Sequence, residues 1–264
     1  MKRIATPAMR MLAAACGLLL LSFSASAQTQ PFNPTHYWTY HNLQPFVFPQ
    51  PIQVQDQFFR QPIPVTVDSL VRFLNWVHKN NSAVPDTFIH YTWWNIHEKL
   101  QLPGGPRRAI VTNQFGSHTV TVTNLEFLLA PAWKNRPDPI APLANHYLCY
   151  RAFGFPLTPQ GYDLRDEWRV DFQFPRDMEF LCTPCFKQHF GQIFAPVDTA
   201  THFAAYPIQP QSDHFQPLVS DQFQTLIIPV QQIPVEYLFV PSTKVELPTD
   251  LKQSTWGRVK KLYR

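Results

Sequence analysis

Cys182-Thr183-Pro184-Cys185 is the part of this sequence most open to chemistry. Two thiols separated by two residues can cycle between dithiol and disulfide, provided the first sits where its thiolate is stabilised, as at a helix N-terminus. With His146 and Cys149 the same pair makes a four-ligand set of the kind that holds zinc. A third option is a plain disulfide from Cys149 to Cys182, which leaves Cys185 as a free thiol. Trp38, Trp93, Trp94 and Trp133 are candidate flat platforms for a glycan or another ligand, and equally candidate core residues. There is no G-x-S-x-G, no phosphate-binding glycine loop and no H-E-x-x-H, since His97-Glu98 lacks a second histidine. The sequence therefore assigns no catalytic residue, no cofactor and no metal, and reads as that of a non-enzyme.

The elements that must position these residues come as a repeat. An H-[YF]-x-x-[YW] block begins at His36, His90, His146 and His202, at spacings of 54, 56 and 56 residues. Each is followed by [VL]-x-[DN]-[QE]-[FW], ending at Phe58, Phe115, Trp168 and Phe223. A third block, an apolar pair that often runs into proline, closes each unit at Lys79, Lys134, Lys187 and Lys244. Three ordered blocks at near-constant spacing predict four diverged copies of one unit of about 55 residues. A polar residue kept in every copy is expected to serve the architecture: the Asp or Asn as a turn-forming side chain, the His as an anchoring donor beneath aromatics.

Between the second and third blocks, Ile63/Val65/Val67, Val120/Val122, Val170/Phe172/Phe174 and Leu226/Ile228/Val230 alternate with polar residues. That is the period of a half-buried strand. Twenty-seven prolines against eight glycines argue against long helices. The expected class is all-β, about four strands per unit, packed as sandwich- or barrel-like pairs. The expected organisation is a leader over 1–27, a linker over 28–35, units one and two over 36–145, units three and four over 146–245, and a basic tail over 246–264. One unit alone is small for a core.

The third unit, with H-Y-L-C-Y, L-R-D-E-W and L-C-T-P-C-F-K, resembles a family of exported bacterial and archaeal repeat proteins that carry H-[FY]-x-C-Y, V-x-D-Q-F and L-C-x-P-x-x-K units. The resemblance spans about His36 to Lys244. It implies an exported location and a repeat fold, and brings no catalytic residues with it. Across the units, Cys149 is equivalent to Thr39, Trp93 and Ala205, and Cys182 to Leu74, Leu129 and Phe239. Mostly apolar pairs in the sister units mark one buried contact between strands, so Cys149–Cys182 is the expected bridge. Cys185 corresponds to Ala132 and Ser242, and is the expected free and reactive thiol.

Lys2, Arg3 and Arg10, the apolar run from Met11 to Phe23 and Ala25-Ser26-Ala27 have the order of a cleaved secretory signal, with Gln28 as the new N-terminus. Thirteen apolar residues are short of the ~20 that span a bilayer, so no membrane span is expected in the mature chain. Removing the leader takes three positive charges from the formal +4 and leaves +1. So neutral a body offers little attraction to nucleic acid. The expectation is a secreted or periplasmic structural or interaction protein with a protein or glycan partner at the cell surface. Ligand binding through exposed aromatics is the first alternative, and thiol redox through Cys182/Cys185 the second.

Overall fold

The computed structural model describes residues 35–137, 143–154, 157–158, 160–233 and 235–248. The leader, its Gln28 cleavage point and most of the basic tail lie outside them. The chain is all-β. The first unit gives β1 (His36–Gln55) and β2 (Ile63–Lys79), and the second β3 (His90–Ile96), β4 (Arg107–Asn113) and β5 (Gly116–Lys134). The third gives β6 (His146–Gly154), β7 (Tyr162–Arg165), β8 (Val170–Gln173), β9 (Phe180–His189) and β10 (Gln192–Phe194). The fourth gives β11 (His202–Ile208), β12 (His214–Phe215), β13 (Leu218–Asp221), β14 (Thr225–Ile227), β15 (Val230–Gln231) and β16 (Glu236–Glu246).

Eight of these strands pair antiparallel in the order β1-β16-β11-β9-β6-β5-β3-β2, and β2 returns to β1. The sheet is therefore a closed barrel to which each sequence unit gives two neighbouring strands, one starting at the His block and one leading to the Lys. Residue 145 lies just before β6, which pairs with β5, and β16 pairs with β1. The two expected halves thus share one sheet.

Alternation sends successive side chains to opposite faces of a strand. Inside the barrel lie Tyr37, Leu74, Tyr91, Trp93, Phe127, Leu129, Tyr147, Cys149, Phe180, Cys182, Phe203, Ala205, Tyr237 and Phe239. Trp38, Tyr40, Trp94, Leu148, Tyr150 and Tyr206 belong to a second buried layer outside it. Burial on both faces explains why the His strands read as almost continuous apolar runs. The aromatic after each His closes one end of the barrel: Tyr37, Tyr91, Tyr147 and Phe203 pack ring to ring, edge to face except for the tilted Tyr147–Phe203 pair, with centroids 5.2, 5.7, 4.9 and 5.6 Å apart around the ring.

The outer layer is covered by the arms that carry the second blocks, and each arm docks on the unit two places away. The far end of β1 pairs with β9, β4 with β16, β7 with β2, and β13 with β5. The acid at each arm tip fastens it. Asp56 accepts the backbone N–H groups of Phe58 and Phe59 through one oxygen, and the hydroxyls of Tyr150 (2.8 Å) and Thr183 through the other. Asp166 accepts from Trp168 and Arg169 N–H, and from Trp38 Nε1, Tyr40 Oη and Asn75 Nδ2 at 2.7, 2.7 and 2.6 Å. Asp221 accepts from Phe223 and Gln224 N–H, Thr92 Oγ1 at 2.6 Å and Trp94 Nε1 at 2.9 Å. Asn113 reverses the sense and donates through Nδ2 to Tyr206 Oη at 2.9 Å and Ser242 Oγ at 3.0 Å.

The other two repeated positions of the arm reach the preceding unit around the ring. Gln114 meets His36, Gln222 meets His146 and Gln57 meets His202, at 2.6, 2.7 and 3.1 Å. In the third arm the position holds Glu167, which pairs with Lys134, and His90 instead stacks on Phe73. The arm aromatics lie under the lysines: Lys79 over Phe115, Lys134 over Trp168, Lys187 over Phe223 and Lys244 over Phe58, at 5.8, 4.8, 4.6 and 4.3 Å. The His, Asp, Gln, aromatic and Lys of the sequence blocks are thus spent on one interlock.

Two outcomes follow. Asp221→Ala leaves Thr92 and Trp94 without their buried acceptor and should cost about 3–5 kcal/mol in urea unfolding, a cost that shrinks in a Thr92→Val background. The second concerns pH. Burial lowers His202 to about 4, with Lys244 adding to it. A folded pKa below the unfolded one means stability present above about 6.5 and lost as pH falls toward 4. The His202→Asn variant should therefore show a shallower loss between pH 7 and 4, by about 3 kcal/mol, in unfolding curves taken at each pH.

Candidate functional site

The thiols separate on the two faces of one strand. Cys149 and Cys182 are register partners on β6 and β9, point into the barrel and are joined by a disulfide. Cys185, three residues on, faces the outer layer as a free and buried thiol. Residues i and i+3 of a strand cannot share a face, so the C-x-x-C spacing makes neither a redox pair nor half of a zinc site here. His146 is engaged by Gln222, and among the described residues no His/Cys/Asp/Glu group is arranged to hold a metal. Burial pushes the Cys185 thiol well above its ordinary value and Asp56 adds to that. The residue expected to be reactive is a protonated packing residue.

The expected tryptophan platforms are also corrected. Trp38 and Trp94 are fully buried, each holding an arm acid through its indole N–H. Trp93 is inside the barrel, stacked on Phe127 at 3.5 Å. Trp133 is half-buried with the Arg136 guanidinium 4.6 Å above its ring. Their burial follows from the barrel: β3 has neighbours on both edges and a packed layer on each face.

The described surface does have an aromatic site, in the third unit, and it runs against the expected alternation. Val65, Val67, Val120, Val122, Ile228 and Val230 are buried as the period predicts. Val170, Phe172 and Phe174 are instead 63, 55 and 56 % exposed. Their polar alternates turn inward: Asp171 is paired with Arg169 at 2.9 Å and accepts the Gln211 N–H, and Gln173 Oε1 accepts the Gln209 N–H at 2.9 Å. Satisfying those two side chains fixes which face of β8 is outward. Phe172 also rests against Gly161, where an added Cβ would come within 2.1 Å of its ring.

These rings border a cleft of about 980 Å³ beside the end of the barrel opposite the tyrosine ring, together with Phe153, Leu157, Met178, Pro207 and Val235. That is at the upper end of the size of ligand sites. The segment leading into β9 is pinned by Arg176 N–H to Pro207 O, Glu179 N–H to Ala205 O, and Ala152 N–H to Glu179 O, at 2.9, 3.0 and 2.8 Å. Arg151 pairs with Glu179 at 2.8 Å, and Tyr237 Oη donates to the same carboxylate at 3.0 Å. Arg176 and Asp177 complete a rim of balanced charge.

Behind it lies Glu236, fully buried, which accepts from Thr39 Oγ1 and from Arg72 Nε at 3.1 Å. Burial raises its carboxyl to about 7 against the pull of Arg72. With no exposed surface it closes the barrel end. The cleft has room for an apolar or extended guest, and among its described lining residues no Ser, Thr or Cys stands beside a base. No family model, curated protein or solved structure matches the chain.

The sequence missed this site because outward and inward alternation look the same in one dimension. Only the partners of Asp171 and Gln173, about forty residues further along the chain, decide the face.

Two thiol measurements test this account. Replacing Cys149 and Cys182 together by alanine should lower stability by roughly 3–4 kcal/mol, the chain-entropy value for a 33-residue separation. Cys185 should resist a thiol-reactive reagent in the folded mature protein and react only in denaturant.

Proposed function

We propose that this is an exported, non-catalytic interaction protein of the periplasm or cell surface, and a member of the exported repeat family that it resembles. The observation that carries the reading is the outward row of Val170, Phe172 and Phe174, whose two rings border a wide cleft, on a body whose repeated polar residues hold the barrel and its arms together. A closed barrel that carries an apolar, charge-balanced cleft suits holding a partner more than transforming a substrate. Export is supported by the leader-like order of residues 1–27 and by a disulfide of the kind that persists in oxidising compartments. No helix among the described residues is long and apolar enough to cross a membrane.

Burial of Trp38, Trp93 and Trp94 takes away three of the four platforms on which the glycan alternative rested, and the ring of the fourth, Trp133, is covered by Arg136. The bond from Cys182 to Cys149 takes away the thiol that the redox alternative required.

The test is made in the native host. Fractionation followed by N-terminal sequencing should recover a chain that begins at Gln28 outside the cytoplasm, with the 149–182 bond present in non-reduced peptide maps. A photoreactive residue placed in turn at exposed positions should give a discrete adduct from at least one of them. Recovery of intact Met1 chain in the cytoplasm, or no adduct from any position, would sink the reading.

A further inference from the structure

We propose that β8 is a strand-addition site: it takes an extended polypeptide segment of a partner protein, apolar at every second residue, as a further strand of the sheet. This rests on the interaction reading above and names the partner's chemistry. Three observations carry it.

The first is that β8 ends the sheet. It pairs with β7 in the register Tyr162↔Gln173 to Arg165↔Val170 and, among the described residues, with no other strand. The segment 209–211 approaches it through the side chains of Asp171, Gln173 and Arg169, with no main-chain bond to the strand among those present. The outward-directed N–H and C=O groups of β8 are therefore a template for one more strand, which supplies backbone hydrogen bonds whatever its sequence.

The second is the two-residue period of Val170, Phe172 and Phe174 on the exposed face. An added strand places every second side chain on that face, so apolar residues in the guest meet the valine and the two rings. Phe172 and Phe174 already stand edge to face at 5.2 Å, and Gly161 backs the first of them, which fixes the contact surface before the guest arrives.

The third is the cleft itself. No residue of β7 borders it, so it opens away from the paired side of β8. Its far wall is the end of β6, where Phe153 is 58 % exposed and Gly154 is paired on the β5 side to Val120. Arg151 is neutralised by Glu179, and Arg176 stands beside Asp177. The site therefore selects an uncharged, extended, alternately apolar chain over an acidic or basic one.

Natural sheets blunt exposed apolar edges with charge, proline or a bulge. β8 has none of these between Val170 and Gln173 except Asp171, whose side chain is turned inward to Arg169.

The test uses the mature, disulfide-bonded protein and a blocked, uncharged synthetic peptide in which valine and threonine alternate between terminal serines. Fluorescence anisotropy should show saturable binding. Methylating alternate backbone nitrogens of the peptide should weaken it by about tenfold or more, because one hydrogen-bonding edge is lost. Phe172→Asp, checked for native circular dichroism and an intact 149–182 bond, should weaken it comparably, whereas Ile227→Asp, at another exposed apolar position, should not.

No binding, or binding indifferent to N-methylation, overturns strand addition. Self-association in sedimentation that Phe172→Asp abolishes, without peptide binding, overturns it in favour of a second copy of this chain as the occupant. In the photo-adduct scan, adducts from Phe190, Ile227 or Val245 but none from Val170, Phe172 or Phe174 would defeat this inference alone. Absence of adducts everywhere would defeat the interaction reading with it.

Discussion

A carboxylate taken out of water needs donors for its oxygens, and this requirement organises the whole molecule. Each arm acid uses one oxygen to cap the turn it sits in and the other to receive donors from a strand two units away. Asp166 reaches Trp38 and Tyr40, Asp56 reaches Tyr150, and Asp221 reaches Trp94. The bond works in both directions. It satisfies the acid, and it also satisfies an indole or phenol that would otherwise be a buried orphan on the outer face of the barrel. Neither partner is at home there without the other.

The reach of two units is what makes the barrel one body. If each arm folded back on its own hairpin, the four units would be held only by neighbouring strand edges. Because they cross, units one and three clasp each other and units two and four do the same, while the Gln–His and Lys–aromatic contacts tie each unit to the one before it. Covering of the lysines is a consequence, complete at Lys187: it lies under Phe194 and Phe223 and its ammonium is lowered to about 7 by burial, which the nearby Asp221 partly offsets. The disulfide occupies a contact that mostly apolar pairs fill elsewhere, so it reinforces the inner core without creating it.

Against this closed background the third unit differs in one strand. Its arm keeps Asp166 in the interlock, yet the strand that follows turns its apolar residues to solvent. The inward places are taken by Asp171 and Gln173, whose acceptors hold an otherwise free backbone segment at 209–211. The outward row is therefore imposed by polar satisfaction on the other face, and its apolar character is left available for contact with another molecule.

The spacing of the blocks, the alternation and the scarcity of helix-compatible stretches already determined an all-β chain with the His, acid and Lys residues in architectural roles, because these properties depend on local period and recurrence. The equivalence of Cys149 and Cys182 to Thr39 with Leu74, Trp93 with Leu129, and Ala205 with Phe239 was legible for the same reason: cross-strand partners keep a fixed separation along the chain. What only the tertiary structure decided was long-range choice. Period two says that side chains alternate but not which set faces the core, so Val170, Phe172 and Phe174 looked like Val65 and Val67 until Asp171 and Gln173 found their partners. It also cannot say that Cys182 and Cys185 lie on opposite faces of β9, or that an arm docks on the unit two places away. Those outcomes are set by closure of the ring, which brings together residues more than a hundred positions apart, and no local pattern carries that information.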